Sequence, residues 1–163
     1  MAGPAGAYPP HTAIPPLAEL LSTPYVTRTM TKLSVYRDRY YLRQDVAPMA
    51  VYIEGKDQPF SDLADDISRA VLERQPELVV TTLDYVDPNL DRPFTIKLNY
   101  GTTDRELAHG QIKVNPASID WHLYEDEARE VVALLTALGT ALDHVHFDPK
   151  DGSSDHAVYC ALL

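Results

Sequence analysis

Apolar and polar positions alternate from Leu33 onward in VTRTMTKLSVYRDRYYLRQD, residues 26–45, a stretch rich in Thr, Val and Tyr. A period of two in such a composition predicts a β-strand. Strand parity then puts Arg37, Arg39, Tyr41 and Arg43 on one face and Tyr36, Asp38, Tyr40 and Leu42 on the other. MAVYIEG, residues 49–55, follows Pro48 and predicts an antiparallel neighbour.

The period changes at FSDLADDISRAVLERQP, residues 60–76, where Leu63, Ile67, Ala70 and Val71 fall on one helical stripe. Ser61 suits the N-cap. Asp62, Asp65 and Asp66 lie in the first turns, Arg69 and Arg74 near the end, and Pro76 stops the helix. Its acidic residues are thus used by the helix itself.

ELVVTTLDYV (77–86) and PFTIKLNYG (93–101) predict strands separated by the turn-rich DPNLDRP. LAHGQIKVNP and SIDWHL supply one or two more. A second helix starts near Glu125 and runs EDEAREVVALLTAL, with Ala128, Val131, Val132, Leu135 and Leu138 on one stripe and Gly139 after its end.

In HVHFDPKDGSSDHAVYCALL, residues 144–163, Pro149 and Gly152 have turn chemistry and predict a C-terminal β-hairpin. A four-residue loop from Pro149 to Gly152 would set His146 opposite Asp155 and His144 opposite Ala157. Val145, Phe147, His156, Val158, Cys160 and Leu162 would then share one face, and His144, His146, Asp155, Ala157 and Tyr159 the other.

The order ββ-α-βββ-α-ββ, with two amphipathic helices that each need a sheet to cover, predicts an α+β fold with a largely antiparallel sheet. Residues 1–24 hold six of the thirteen prolines together with Gly3 and Gly6, and predict a flexible arm. Within it PLAELLST could form a turn or two of helix. Residues 25–163 read as one domain, a length sufficient for a core without staples, since such a domain removes roughly 70% of its unfolded surface from water.

Charge narrows the functions. The net charge is −10, yet residues 1–50 carry five Lys or Arg against Glu19, Asp38 and Asp45, a balance of +2, so the remainder carries −12. A strongly acidic surface repels phosphate backbones, which disfavours nucleic acid as a partner unless the basic stretch forms a local patch. No apolar run reaches the roughly 18 residues of a membrane-spanning helix. The N-terminus lacks the basic start and apolar centre of a secretory signal, and the single cysteine precludes an internal disulfide framework, so a soluble, cytoplasmic protein is expected.

Five chemical readings are weighed. His144-x-His146 on a strand aims two imidazoles the same way, and with Asp155 as third ligand it could hold a divalent metal. His144-Val-His146-Phe-Asp148 resembles, over five residues, part of the HxHxDH signature of the metallo-β-lactamase fold. The sixth position is Pro149, and that fold needs more chain after the motif than follows here, so the resemblance is not extended further. The plainer reading makes His146 and Asp155 a cross-strand pair.

Arg37, Arg39, Tyr41 and Arg43 have the composition of an anion- or single-strand-binding face, or of a sheet face that meets the acidic helices. The last four residues, Cys160-Ala-Leu-Leu, fit a prenylation signal, although Cys160 falls on the apolar side of a predicted strand. In that strand Cys160 and His156 stand about 13 Å apart at about 3.3 Å per residue, too far to exchange a proton. The Asp residues near Gly152 do not follow calcium-loop spacing.

No phosphate loop, nucleophile elbow or zinc-protease helix occurs, which argues against an enzyme. The reading that follows is a small, acidic, non-enzymatic binding protein that acts on a protein partner as regulator, inhibitor or immunity-type protein, without a cofactor. Self-association into a homo-oligomer stays open. The alternatives are a metal-assisted hydrolase at the His-x-His site and a nucleic-acid binder through the Arg/Tyr face.

Overall fold

The computed structural model describes residues 32–38, 49–101, 109–147 and 156–163. The proline-rich arm, residues 1–24, lies outside them. Among the described residues two helices and nine strands form an α+β fold with two sheets. The strands are β1 (Leu33–Asp38), β2 (Met49–Gly55), β3 (Glu77–Val79), β4 (Val86–Asn89), β5 (Phe94–Asn99), β6 (Gln111–Val114), β7 (Ile119–Tyr124), β8 (His144–Phe147) and β9 (His156–Leu162). The helices are α1 (Asp57–Leu72) and α2 (Glu125–Ala137).

The first sheet has the order β4-β1-β2-β9-β8 and the second β3-β5-β7-β6. Both are mixed, which corrects the expectation of a largely antiparallel sheet. β1–β4, β2–β9 and β5–β7 are parallel, whereas β1–β2, β3–β5, β6–β7 and β8–β9 are antiparallel. The cause is the connectivity. The chain leaves the first sheet through α1, enters the second at β3, visits the first again at β4, completes the second with β5, β6 and β7, and returns through α2, so β9 docks beside β2 across about a hundred residues of sequence. Alternation within a strand fixes which side chains face inward and carries nothing about such distant pairings.

Residues 77–86, which read as one strand, belong instead to three elements. β3 joins the second sheet, a 3-10 turn follows at Val80–Thr82, and β4 joins the edge of the first. The turn-like Asp87 and Pro88 are therefore strand residues. An edge position lets Pro88 sit there without depriving a ladder of a donor.

Helix α1 begins at Asp57, a turn before Ser61, because Pro59 is tolerated in a first turn and its ring is buried with Phe60. Phe60, Leu63, Ala64, Ile67, Ala70 and Val71 form the buried stripe. It ends in a Schellman arrangement: Arg74 N–H donates to Val71 O (3.1 Å) and Gln75 N–H to Ala70 O (2.9 Å), with Arg74 at φ +52°. Tyr100 from the end of β5 secures this end. Its hydroxyl donates to Gln75 O (2.7 Å) with Ala70 O at 3.0 Å, and the Arg74 guanidinium lies 4.5 Å from its ring centre.

Helix α2 begins where sequence predicted. The Glu127 carboxylate accepts the Tyr124 N–H at 2.9 Å, and Gly139 takes φ +87° beyond its end.

The two sheets and both helices share one hydrophobic core. Leu33, Val35, Val51, Ile53, Val158, Cys160, Val145 and Phe147 enter it from the first sheet; Phe94, Ile96, Ile112, Ile119, Trp121 and Leu123 enter from the second. Trp121 and Phe147 join them, with ring centres 5.3 Å apart. Gly110 is required at this seam: it has φ +76°, and a Cβ there would stand 2.3 Å from His122 O.

Candidate binding face

The inward residues of the first sheet decide what its other face carries. Val35, Val51 and Val158 are each buried and each is followed by a tyrosine: Val35-Tyr36, Val51-Tyr52 and Val158-Tyr159. Because neighbours on a strand point to opposite faces, burying the three valines turns the three tyrosines outward. The register then lines them up, Tyr36 beside Tyr52, Tyr52 beside Tyr159, and Tyr159 beside His146.

The result is a continuous row of rings across four strands. Tyr36 and Tyr52 stack with centres 5.4 Å apart and planes at 12°, and Tyr52 and Tyr159 stack at 5.2 Å and 17°. His146 meets Tyr159 edge-on at 4.3 Å, and His144 lies 5.5 Å from His146. The tyrosines are half-buried and the histidines exposed. The row was not foreseen from sequence, although the thrice-repeated Val-Tyr pair at strand positions was the available signal.

His144 and His146 do share a face, as parity required. Their cross-strand neighbours differ from the expectation. His144 pairs with Ala161 and His146 with Tyr159, a shift of four residues from the register with Ala157 and Asp155. β9 is fixed by its parallel match to β2, which buries Val158 and Cys160 beside Val51 and Ile53, so residues 148–155 connect the strands in place of a four-residue loop. A shift of an even number of residues leaves faces unchanged. Asp155, the expected third ligand, lies outside the described residues, as do Asp148 and Asp151. Among the described residues no three metal-binding side chains converge. Asp143 instead touches His144, Oδ1 to Nδ1 at 2.5 Å, and the imidazole holds the Asp143 carboxyl below the usual carboxylate range.

Of the proposed cationic stripe, Arg39, Tyr41 and Arg43 also lie outside the described residues. Arg37 shares the parity of Leu33 and Val35, its side chain is 16% exposed, and it pairs with Asp91 at 3.4 Å. Asp91 lies between β4 and β5 and on neither helix, so the pairing differs from the helix-facing arrangement weighed against anion binding. Cys160 is buried between Val145 and Ile53, and burial pushes its thiol well up.

Comparison of the chain with protein-family models, curated proteins and solved structures returns no match.

Among the described residues, concavities lie elsewhere. A groove of about 380 Å³ runs between the helices, lined by Ser68, Val71, Leu72, Arg129 and Val132. A smaller hollow of about 160 Å³ on the second sheet is lined by Asn99, Gln111, Lys113, His122, Leu123 and Tyr124. Desolvation holds the His122 imidazole below its ordinary pKa; the Lys113 charge adds to this, Asp120 opposes it, and Lys97 adds a smaller push. Nearby, the buried Asp120 carboxylate accepts from Asn115 Nδ2 at 2.7 Å through Oδ2.

Proposed function

We propose that the protein is a non-enzymatic binding module that engages a protein partner through the tyrosine–histidine face of its first sheet, acting as a regulator or inhibitor. The observation that carries this reading is the row Tyr36–Tyr52–Tyr159–His146. Tyrosine gives large, amphipathic contact area at low conformational cost, since it has two side-chain torsions, and stacking against neighbours lowers that cost further. A row pre-ordered in this way is suited to a protein surface that buries ring edges and meets hydroxyls.

The same geometry disfavours single-stranded nucleic acid. A stacking platform needs a ring face open to a base. Rings 5.2–5.4 Å apart and nearly parallel turn their faces to one another and leave no space for a base between them. Net charge −10 acts in the same direction.

The test is comparative capture from extracts of the source cell with the unaltered chain and with Tyr52→Ala and Tyr159→Ala, each checked for an unchanged melting temperature. A protein held by the unaltered chain and lost by both variants supports the proposal, each substitution costing about 2 kcal/mol if these are central contacts. Equal capture by all three chains, or turnover of a small substrate with no partner held, would overturn it.

A further inference from the structure

Divalent metal binding shares His146 and its contact with Tyr159 with the aromatic row, but it is carried by the pairing of His144 with His146 and by Asp143, which the row does not use. The strand β8 sends His144 and His146 to the same exposed face, two residues apart on a strand held by its ladder to β9. Their ring centres are 5.5 Å apart with the planes inclined at 54°. An imidazole bound at about 2.0–2.1 Å has its centre about 3.2 Å from the ion, so two imidazoles at a tetrahedral angle have centres about 5.2 Å apart. The pair stands close to that spacing before any ion arrives.

Asp143 completes the chemistry. Its Oδ1 lies 2.5 Å from His144 Nδ1. A carboxylate can only accept at that contact, so Nδ1 carries a hydrogen, and in the neutral imidazole the lone pair is then on Nε2, on the far side of the ring from Asp143. This is the outer-shell pattern in which a carboxylate orients a metal-binding histidine. On the other flank the edge-on contact with Tyr159 at 4.3 Å restrains the His146 ring.

We propose that His144 and His146 form a surface site for a divalent transition metal of the imidazole-preferring class, with Asp143 as the positioning residue behind His144. Water fills the coordination positions that the two imidazoles leave open. Zinc, nickel and copper suit two neutral imidazoles, whereas magnesium and calcium prefer oxygen donors.

Zinc titration of the full chain, followed by calorimetry and by the imidazole NMR signals, tests the site. Saturable binding of one zinc per chain is expected, with the His144 and His146 signals moving together and those of His109 and His122 unmoved. His144→Ala or His146→Ala should abolish it. Asp143→Asn should weaken it about tenfold while both imidazoles still respond, an outcome that a purely structural Asp143 would not give. Magnesium should cause no change. Because His144 and His146 are exposed, their loss leaves the metal-free melting temperature unchanged, so a failed titration cannot be blamed on unfolding. Absence of saturable zinc binding, or binding retained in both histidine variants, overturns the proposal. Neither result bears on the partner-capture experiment, which is run with a chelator present.

Discussion

At the scale of single residues, the buried Cys160 and the half-buried Tyr85 are weak acids whose pKa is raised, and they make the molecule sensitive to alkali. Tyr85 donates to Asp66 Oδ2 at 2.7 Å; burial pushes its pKa upward, and the hydrogen bond to the Asp66 carboxylate and that group's charge add to the shift. Burial does the same to the Cys160 thiol. In the unfolded chain these groups ionise near their ordinary values, about 8.5 for Cys and about 10 for Tyr. Above those values the unfolded state has released protons that the folded state keeps, so stability is complete below about pH 8.5 and falls as pH rises. Urea unfolding from pH 7 to 11 should show the loss starting with the thiol and deepening above about pH 10. In Tyr85→Phe the deeper part should become shallower, and at pH 7 the substitution should cost about 1 kcal/mol for the lost hydrogen bond. An unchanged alkaline slope in Tyr85→Phe would refute the role given to this hydroxyl.

At the scale of elements, the helices show how much of a local structure its own residues specify. The apolar stripes of α1 and α2 were readable as spacing, because a helix that covers a sheet must repeat its buried positions at three and four residues. The N-terminus of α1 was misplaced by one turn: Ser61 has the side chain of a cap, yet burial of Pro59 and Phe60 rewarded an earlier start. The N-terminus of α2 was placed correctly, and its stabiliser is the buried Glu127, 2% exposed, which satisfies the Tyr124 N–H. Replacing it should free that donor and unpin the first turn. Glu127→Ala is expected to cost about 1 kcal/mol, and Glu127→Gln, which keeps an acceptor, less. Amide exchange across 124–128 reports the change directly: equal protection in Glu127→Ala and the unaltered chain would show that the carboxylate does not hold this turn.

The candidate site was legible at this scale in part. That His144 and His146 share a face followed from parity alone, and so did the inward direction of Cys160. Asp143 as the partner of His144 was not legible, because adjacent residues on a strand point to opposite faces; Asp143 precedes β8, where the chain still turns. The tyrosine row was half legible: three Val-Tyr pairs each give an outward ring, but nothing in the pairs says that their strands are neighbours.

At the scale of the whole molecule, the fold depends on strands brought together from distant parts of the chain. β9 lies between β2 and β8 and contributes Val158 and Cys160 to the common core. It also ties the chain end back, since Leu163 N–H donates to Gly55 O at 2.9 Å and Leu162 N–H to Asp143 O at 2.8 Å. Deletion of residues 156–163 removes an interior strand of the first sheet and leaves β8 without its ladder. The truncated chain should lose cooperative unfolding and bind a dye specific for exposed apolar surface; a sharp thermal transition retained by it would contradict the arrangement β2-β9-β8.

The sequence by itself determined the α+β class, the two helices, the faces of the strands and the inward cysteine, because these follow from periodicities of 3.6 and 2 that short segments carry within themselves. Tertiary structure alone decided which strands are neighbours, that the sheets are mixed, that residues 77–89 are divided between two sheets, and that three tyrosines and a histidine stand in one row. Those depend on docking free energies between segments tens of residues apart, where the burial of Val158 and Cys160 beside Val51 and Ile53 outweighs the local preference for a short hairpin loop.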